Sequence, residues 1–333
     1  MIISKTPYRI SFFGGGTDYP EWFKKNNGEV LSTTINKYLY LTCRYLPPFF
    51  DHKYRNVWSI IEKVKTIEEL KHTAVKKLFF QMKVKKGLEL HYDGDLPAQS
   101  GMGSSSSFVV GLTNILHSFK KIQLSKKSLA DKSIFFEHDI LKEKVGYQDQ
   151  IAASYGGFNS IKFFKNGKYK VQKFPLKNRI ILNLNKNLLL VFSGNERRAN
   201  DIVGKYINKL YKEKKKEMQV IQKFTYKAKF FLKNEKLDDF GHLIGESWIK
   251  KKELSKYITT EKIDLIYNLG IKNGALGGKV LGAGGGGMML FYVNKEHQEQ
   301  FKRALKNYLI IPFEFENTGS SIIFNSNKEN IYE

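Results

Sequence analysis

Residues 96–112, LPAQSGMGSSSSFVVGL, set glycines and four serines immediately ahead of an apolar run with helical spacing. Pro97 fixes an entry turn, Gly101 and Gly103 flank Met102 and let the backbone come close to a ligand, and Ser104, Ser105, Ser106 and Ser107 open the helix. Such a helix start offers unpaired N–H groups and the positive end of the helix dipole to an anion. The hydroxyls add further donors and a candidate magnesium ligand. This is the chemistry of a phosphate cradle, although the Gly-Lys-Ser/Thr ending of a P-loop is missing. The competing reading is a Ser/Gly turn that simply caps a helix.

Three other segments carry reactive or permissive residues. In KVGYQDQIAASYGG (144–157), Asp149 stands between Gln148 and Gln150 ahead of a small-residue helix, where a carboxylate serves either as an N-cap or as a working group. Glu137 lies twelve residues earlier inside SIFFEHDIL, on an apolar face that rarely takes a carboxylate unless a cation pairs with it. KVLGAGGGGMMLFYV (279–293) matches the dinucleotide glycine fingerprint formally, yet a strand follows where a helix is required. So many glycines in succession carry an entropic cost, which points to a close approach to the backbone. TPYRISFFGGGTDYP (6–20) is a further glycine turn, whose Thr17 and Asp18 suit a polyol or simply a surface turn.

Two apparent signatures carry nothing. Asp239-Phe240-Gly241 spells a protein-kinase triplet without its companion motifs. The seven histidines lack the spacing of a zinc hydrolase.

The elements that must position these residues are mixed. Strands are expected within 28–45, at 88–92, 158–164, 169–174, 180–184, 188–192 and 288–293, and near 312–315 and 321–324. A helical period covers 60–82 with an interruption near Thr73, and helices are expected from the serine run onward, over 126–143, within 198–254, at 263–271 and at 295–308. The pattern predicts an α+β chain of two domains, 1–170 and 171–333, meeting near residues 165–180.

Composition narrows the classes. The chain has 333 residues, 41% hydrophobic and 14% aromatic, which is enough to build cores and excludes wholesale disorder. Cys43 is the only cysteine, so a disulfide framework, a cysteine zinc site and an iron–sulfur cluster are excluded. The N-terminus lacks the pattern of a secretory signal, and no apolar run approaches the length of a membrane span; a cytoplasmic, reducing location without membrane partners is expected. Lys and Arg total 56 against 32 Asp and Glu, a formal charge of +24. Much of the excess is a diffuse lysine-rich wash, as in 209–237, that reads as solvated helix surface. A nucleic-acid-binding reading accounts for the charge alone and lacks RNP aromatics, a helix-turn-helix signature and zinc-finger spacing, so no nucleic-acid partner is expected.

Taken in order, the glycine segments resemble those of the GHMP kinases, the superfamily of galactokinase, homoserine kinase, mevalonate kinase and phosphomevalonate kinase. Pro7-Tyr8-Arg9…Gly14-Gly15-Gly16-Thr17-Asp18, Pro97…Gly101-Met102-Gly103-Ser104-Ser105 and Gly282–Gly286 correspond to the three motifs. RISFFGGGTDYP, residues 58–72 and VGYQDQIAASYGGFN resemble the heptose 7-phosphate kinase and fucokinase-type branch. Gly15-Gly16 replaces the Glu-His of galactokinase, which disfavours galactose.

The resemblance implies a two-domain kinase with ATP and acceptor in the interdomain cleft. It gives Gly101–Ser107 the ATP phosphates, Ser105 and Glu137 the Mg2+ ion, and Asp149 the acceptor hydroxyl with Arg9 beside it. Trp58 is a candidate for stacking on the base or else a core residue. Gly15, Gly16, Thr17, Asp18, Gln148, Gly284 and Gly285 fall on the substrate side. The implied reaction is phosphorylation of heptose 7-phosphate at its anomeric hydroxyl to the 1,7-bisphosphate, and the runner-up acceptor is an unphosphorylated sugar such as L-fucose. Arg197 and Arg198, which follow the strand LLLVF in SGNERRAND, are the expected cations for the distal phosphate. A degenerate, purely regulatory member of the family is disfavoured because Arg9, Ser105, Glu137 and Asp149 are all present.

Overall fold

The computed structural model describes residues 1–194 and 213–326; Arg197 and Arg198 lie outside them. Thirteen strands and ten α-helices are found among the described residues. The first sheet grows around one long hairpin. β1 (Ile2–Phe13) runs antiparallel to β2 (Gly28–Tyr45), an 18-residue strand rich in β-branched and aromatic side chains. The far half of β2 pairs with β5 (Leu88–Gly94), which is followed by β3 (Tyr54–Val57) and β4 (Ile61–Val64). Its near half pairs with β6 (Asn159–Phe163), which pairs in turn with β7 (Tyr169–Lys173).

One irregularity in this hairpin joins the first motif to the serine turn. The β1–β2 register shifts between Pro7, opposite Tyr38, and Arg9, opposite Thr34. Pro7 has no N–H to give to a ladder, so a break costs least beside it. The freed Arg9 N–H instead donates to the carbonyl of Met102 at 3.1 Å, bringing the first motif and the serine turn together.

The second sheet has the order β11 (Leu309–Ile311), β8 (Leu188–Phe192), β10 (Met288–Val293), β9 (Ala275–Val280), all antiparallel. The helices that pack onto β9 include α8 (Leu237–Lys252) and α9 (Glu261–Lys272), with Trp248, Ile263, Phe291 and Phe301 buried among them. The two sheets share a core. Phe12 and Phe13 at the end of β1 meet Phe240 of α8, with ring centroids 5.5 and 5.3 Å apart. The chain then returns: β12 (Phe315–Glu316) pairs with β2, and β13 (Ser321–Asn325) pairs with β1.

Several expected elements differ. Residues 60–82 were expected to be helical, but they hold β4, a short 3-10 turn (Ile67–Glu69) and only then α2 (Thr73–Gln81). Residues 180–184 are expected as a strand and instead lie in α6 (Asn178–Asn187), where Ile180 and Leu184, four apart, share the buried face. The helix expected over 126–143 is α4 (Lys126–Phe135) followed by a widened turn, Phe136–Ile140. In the basic region, α7 (Lys215–Lys233) precedes α8. The C-terminal helix is α10 (Gln298–Ala304), shorter than expected and preceded by a 3-10 turn. Among the described residues no helix is long and apolar enough to cross a membrane.

Candidate active site

The serine run opens α3 (Ser104–Phe119) as its spacing predicts. Its N-cap is Gly103, held at φ +78°, and no side chain caps it, so the first-turn amides remain available to a ligand. The four serines point in different directions. Ser107 donates to the Pro7 carbonyl at 3.1 Å, and the Ser104 hydroxyl accepts from the Gln99 N–H at 3.2 Å. Ser106 donates to Glu137, while Ser105 is exposed.

The carboxylate of Asp149 arrives at the same helix start from α5 (Gln148–Tyr155). Asp149 is inside the helix and Tyr147 is its N-cap residue, so the capping reading is not what the structure shows. Its two oxygens take a bidentate pair from Arg9, Nε to Oδ1 and Nη2 to Oδ2, both at 2.7 Å. Arg9 Nη1 donates to the Gly101 carbonyl at 2.6 Å. Ser11 donates to Gln148 Oε1 at 2.7 Å, and Gln148 Nε2 reaches Asp149 Oδ1 at 3.2 Å. A fork–fork pair of this kind fixes the plane of the carboxylate as well as its charge. A Cβ on Gly103 would sit 3.4 Å from Asp149 Oδ2, so glycine leaves the space between helix start and carboxylate open.

Glu137 is fully buried in the widened turn, where Leu141 N–H reaches back five residues to Phe136 O. It accepts from Ser106 and from Gln150 and has no cationic partner among the described residues. Burial, with repulsion from Glu143 and Asp149, pushes its carboxyl up to about 8, and Gln150 Oε1 nearby is buried without a partner. A buried acid with only neutral donors is a group prepared for a cation, so the donor set fits a hard divalent ion.

The first glycine turn is built differently from the expectation. Thr17 is buried, donates to the Gly14 carbonyl at 2.7 Å and accepts from Glu29 N–H at 3.1 Å; its hydroxyl closes the turn rather than facing a cleft. Asp18 accepts from Gly16 N–H at 2.9 Å and Gln148 N–H at 3.3 Å. Burial and the neighbouring Asp149 push Asp18 up to about 6. Gly15 and Gly16 stay partly exposed.

The third glycine turn lies between two antiparallel strands, β9 and β10, so no dinucleotide fold exists there. It packs against the serine turn. A Cβ on Gly101 would lie 2.5 Å from the Leu281 carbonyl oxygen, and one on Gly282 would lie 2.8 Å from Gly101 Cα. Gly285 N–H donates to Ile258 O at 2.8 Å, and Gly284 packs on the same residue. These glycines therefore serve a close backbone approach. Trp58 is over one-third exposed, donates to Glu62 at 2.9 Å and stands edge-on to His72, which stacks on Phe108, the fifth residue of α3.

Sequence reasoning passed over two lysines. Lys279 of β9 is buried and donates to the Ser11 and Phe12 carbonyls at 3.1 and 2.7 Å. Lys251, at the end of α8, donates to the Gly282 carbonyl. Their signal was lost in a chain where lysine is everywhere, although Ile244, Ser247 and Trp248 in the turns before Lys251 mark that helix face as inward.

A carboxylate tied to an arginine at an uncapped, glycine-led helix start is an arrangement suited to transfer of a phosphoryl group to a small molecule. Residues 64–157 match the model of the GHMP kinases N terminal domain, and residues 229–311 match that of the GHMP kinases C terminal domain. A Campylobacter jejuni protein, D-glycero-alpha-D-manno-heptose 7-phosphate kinase, is 31% identical over 92% of this chain and 93% of its own. A solved structure of a D-glycero-D-manno-heptose 1-phosphate kinase from Bacteriodes thetaiotaomicron superposes with a TM-score of 0.79 at 23% identity, covering 98% of this chain and 100% of that one. Lactococcus lactis galactokinase, solved with galactose, gives 0.72 at 18% identity over 96% and 94%. The chain belongs to the GHMP kinases, a family of kinases that use ATP as phosphate donor.

Proposed function

We propose that this chain transfers the γ-phosphoryl group of ATP to the anomeric hydroxyl of D-glycero-D-manno-heptose 7-phosphate, giving the 1,7-bisphosphate for activated-heptose and surface-polysaccharide synthesis in the cytoplasm. The observation that carries it is the Arg9–Asp149 pair beside Gly103, a carboxylate held by a bidentate arginine at an uncapped helix start. The likeness to the Campylobacter jejuni heptose 7-phosphate kinase supports the choice of sugar.

The chemistry asked of these residues is positioning and charge neutralisation. The amides of Ser104, Ser105 and Ser106 hold the triphosphate, the Ser107 N–H being already bonded to the Gly103 carbonyl, and Trp58 stacks near the base. Asp149 accepts the proton of the anomeric hydroxyl, while Arg9 keeps its carboxylate oriented. Glu137 and Ser105 would hold Mg2+, which supplies charge neutralisation on the phosphates. Asp18, Gln148, Gly15 and Gly16 lie toward the sugar, with Thr17, Gly284 and Gly285 shaping the backbone around it. Arg197 and Arg198 would hold the distal phosphate. The ATP-binding domain would span residues 1–170 and the second domain 171–333, with the last two strands returning to the first sheet.

A sugar panel read by ATP consumption tests the reading: heptose 7-phosphate, heptose 1-phosphate, the unphosphorylated heptose and L-fucose. Preference for the 7-phosphate is expected. Equal use of the phosphorylated and unphosphorylated heptose would remove the distal-phosphate pocket and favour the fucokinase-like alternative. Preference for the 1-phosphate would move the reacting hydroxyl away from the anomeric carbon.

A further inference from the structure

The serine turn and the third glycine turn meet back to back, and each offers one carbonyl to one cation. Gly101 O accepts from Arg9, Gly282 O accepts from Lys251, and the two glycines touch. The two cations thus come from opposite halves of the chain, β1 and α8, and converge on one seam. Arg9 has a carboxylate partner, Asp149. Among the described residues Lys251 bonds only a carbonyl, although it sits half-buried among Arg9 on β1, Asp18 in the following turn and Lys279 on β9. A half-buried ammonium facing other cations gains most from an arriving anion.

We propose that Lys251 is a further catalytic residue, whose ammonium leaves the Gly282 carbonyl to bind the phosphoryl group as it passes from donor to acceptor. The proposal rests on the sugar-kinase reading above. In the step, the bond from the acceptor oxygen to the γ-phosphorus forms as the bond from that phosphorus to the β–γ bridging oxygen breaks. The bridging oxygen keeps the electron pair and departs with ADP, the acceptor proton goes to Asp149, and Lys251 remains an ammonium throughout. Its contribution is charge stabilisation where charge develops. Burial and the nearby Arg9 push the Lys251 amine down to about 8, with Asp18 opposing them, so its charge is lost above that pH.

Wild type, Lys251→Met and Lys251→Arg are compared in two assays. The first measures binding of ADP with magnesium and aluminium fluoride, a mimic of the phosphoryl group in transfer, and requires no sugar. Fluoride should tighten ADP binding in wild type, and Lys251→Met should lose about 100-fold of that tightening while binding ADP alone normally. The second assay uses whichever sugar wild type phosphorylates. There kcat should fall about 100-fold in Lys251→Met with little change in KM for ATP, and Lys251→Arg should restore most of it. The alkaline limb near pH 8 should vanish in Lys251→Arg, because a guanidinium stays protonated. Full tightening in Lys251→Met, or an unchanged alkaline limb in Lys251→Arg, overturns the assignment. Loss of ADP binding and of melting temperature in both variants also overturns it, by making Lys251 a structural prop. A wild type inactive on every sugar of the panel defeats the sugar-kinase reading alone, because the fluoride assay still decides the role of Lys251.

Discussion

Asp149 and Glu137 flank the same helix start, and their surroundings are opposite. Asp149 is a quarter exposed and held by a bidentate arginine, so its charge is balanced before any ligand arrives. Glu137 is sealed in, answered only by a hydroxyl and an amide, and pushed up to about 8 by burial. One carboxylate is held in place by a cation; burial favours the protonated form of the other. The difference teaches that family-like acids in one cleft divide their work by what surrounds them.

The contrast is broken most severely at Asp149. Asp149→Ala should reduce turnover by about 10²–10⁴-fold, the range of acid–base contributions, while ATP affinity is nearly unchanged. Steady-state kinetics with a separate ATP-binding titration checks both, and retention of more than about a tenth of the activity would take Asp149 out of the chemistry. At Glu137 a smaller effect of another kind is expected. Glu137→Gln should raise the magnesium concentration for half-maximal activity by about 10-fold or more, because a hard anionic ligand is lost. Ser105→Ala should shift it in the same direction by less, and an unchanged half-saturation point for Glu137→Gln would take that residue out of the site.

The smallest effect is one of stability. A carboxyl whose pKa is raised on folding binds its proton more tightly in the native state, so stability falls as pH rises between the unfolded and folded values. For Glu137 this window runs from about 4.5 to about 8. Asp18, pushed up to about 6, adds to the slope only in the lower part of that window. The melting temperature of metal-free protein should therefore decline from pH 6 to 8, and Glu137→Gln should flatten the decline. A decline that survives unchanged in the variant would place its source elsewhere.

The parts of this arrangement that could be read from the sequence are those with strong local signals. The serine run ahead of Phe108, Val109 and Leu112 announced α3, and the six apolar residues after Gly287 announced β10. What escaped was phase and direction. Consecutive serines on a helix differ by about 100° in direction, so sequence alone did not tell that Ser106 rather than Ser105 meets Glu137. Thr17 was legible as a turn residue, but its inward hydroxyl depends on Glu29, a strand away. Arg9 was visible in its motif, yet the bulge that frees its N–H arises from pairing with β2. Ile180 and Leu184 fit a strand or a helix equally well in so short a window, and tertiary packing decided for the helix.

The return of β12 and β13 to the first sheet means that the polypeptide crosses between the two sheets twice, once around residues 174–177 and again at 312–314. The second crossing is pinned on both sides. Asn36 exchanges hydrogen bonds with Glu314, and Asn185 bonds Phe313 O and Phe315 N–H at 3.0 and 2.8 Å. A single tether would let one half swivel in any direction, whereas two tethers leave one easy rotation, about the line that joins them. Any relative motion of the two sheets would therefore have to bend both crossings at once and shear the core that they share.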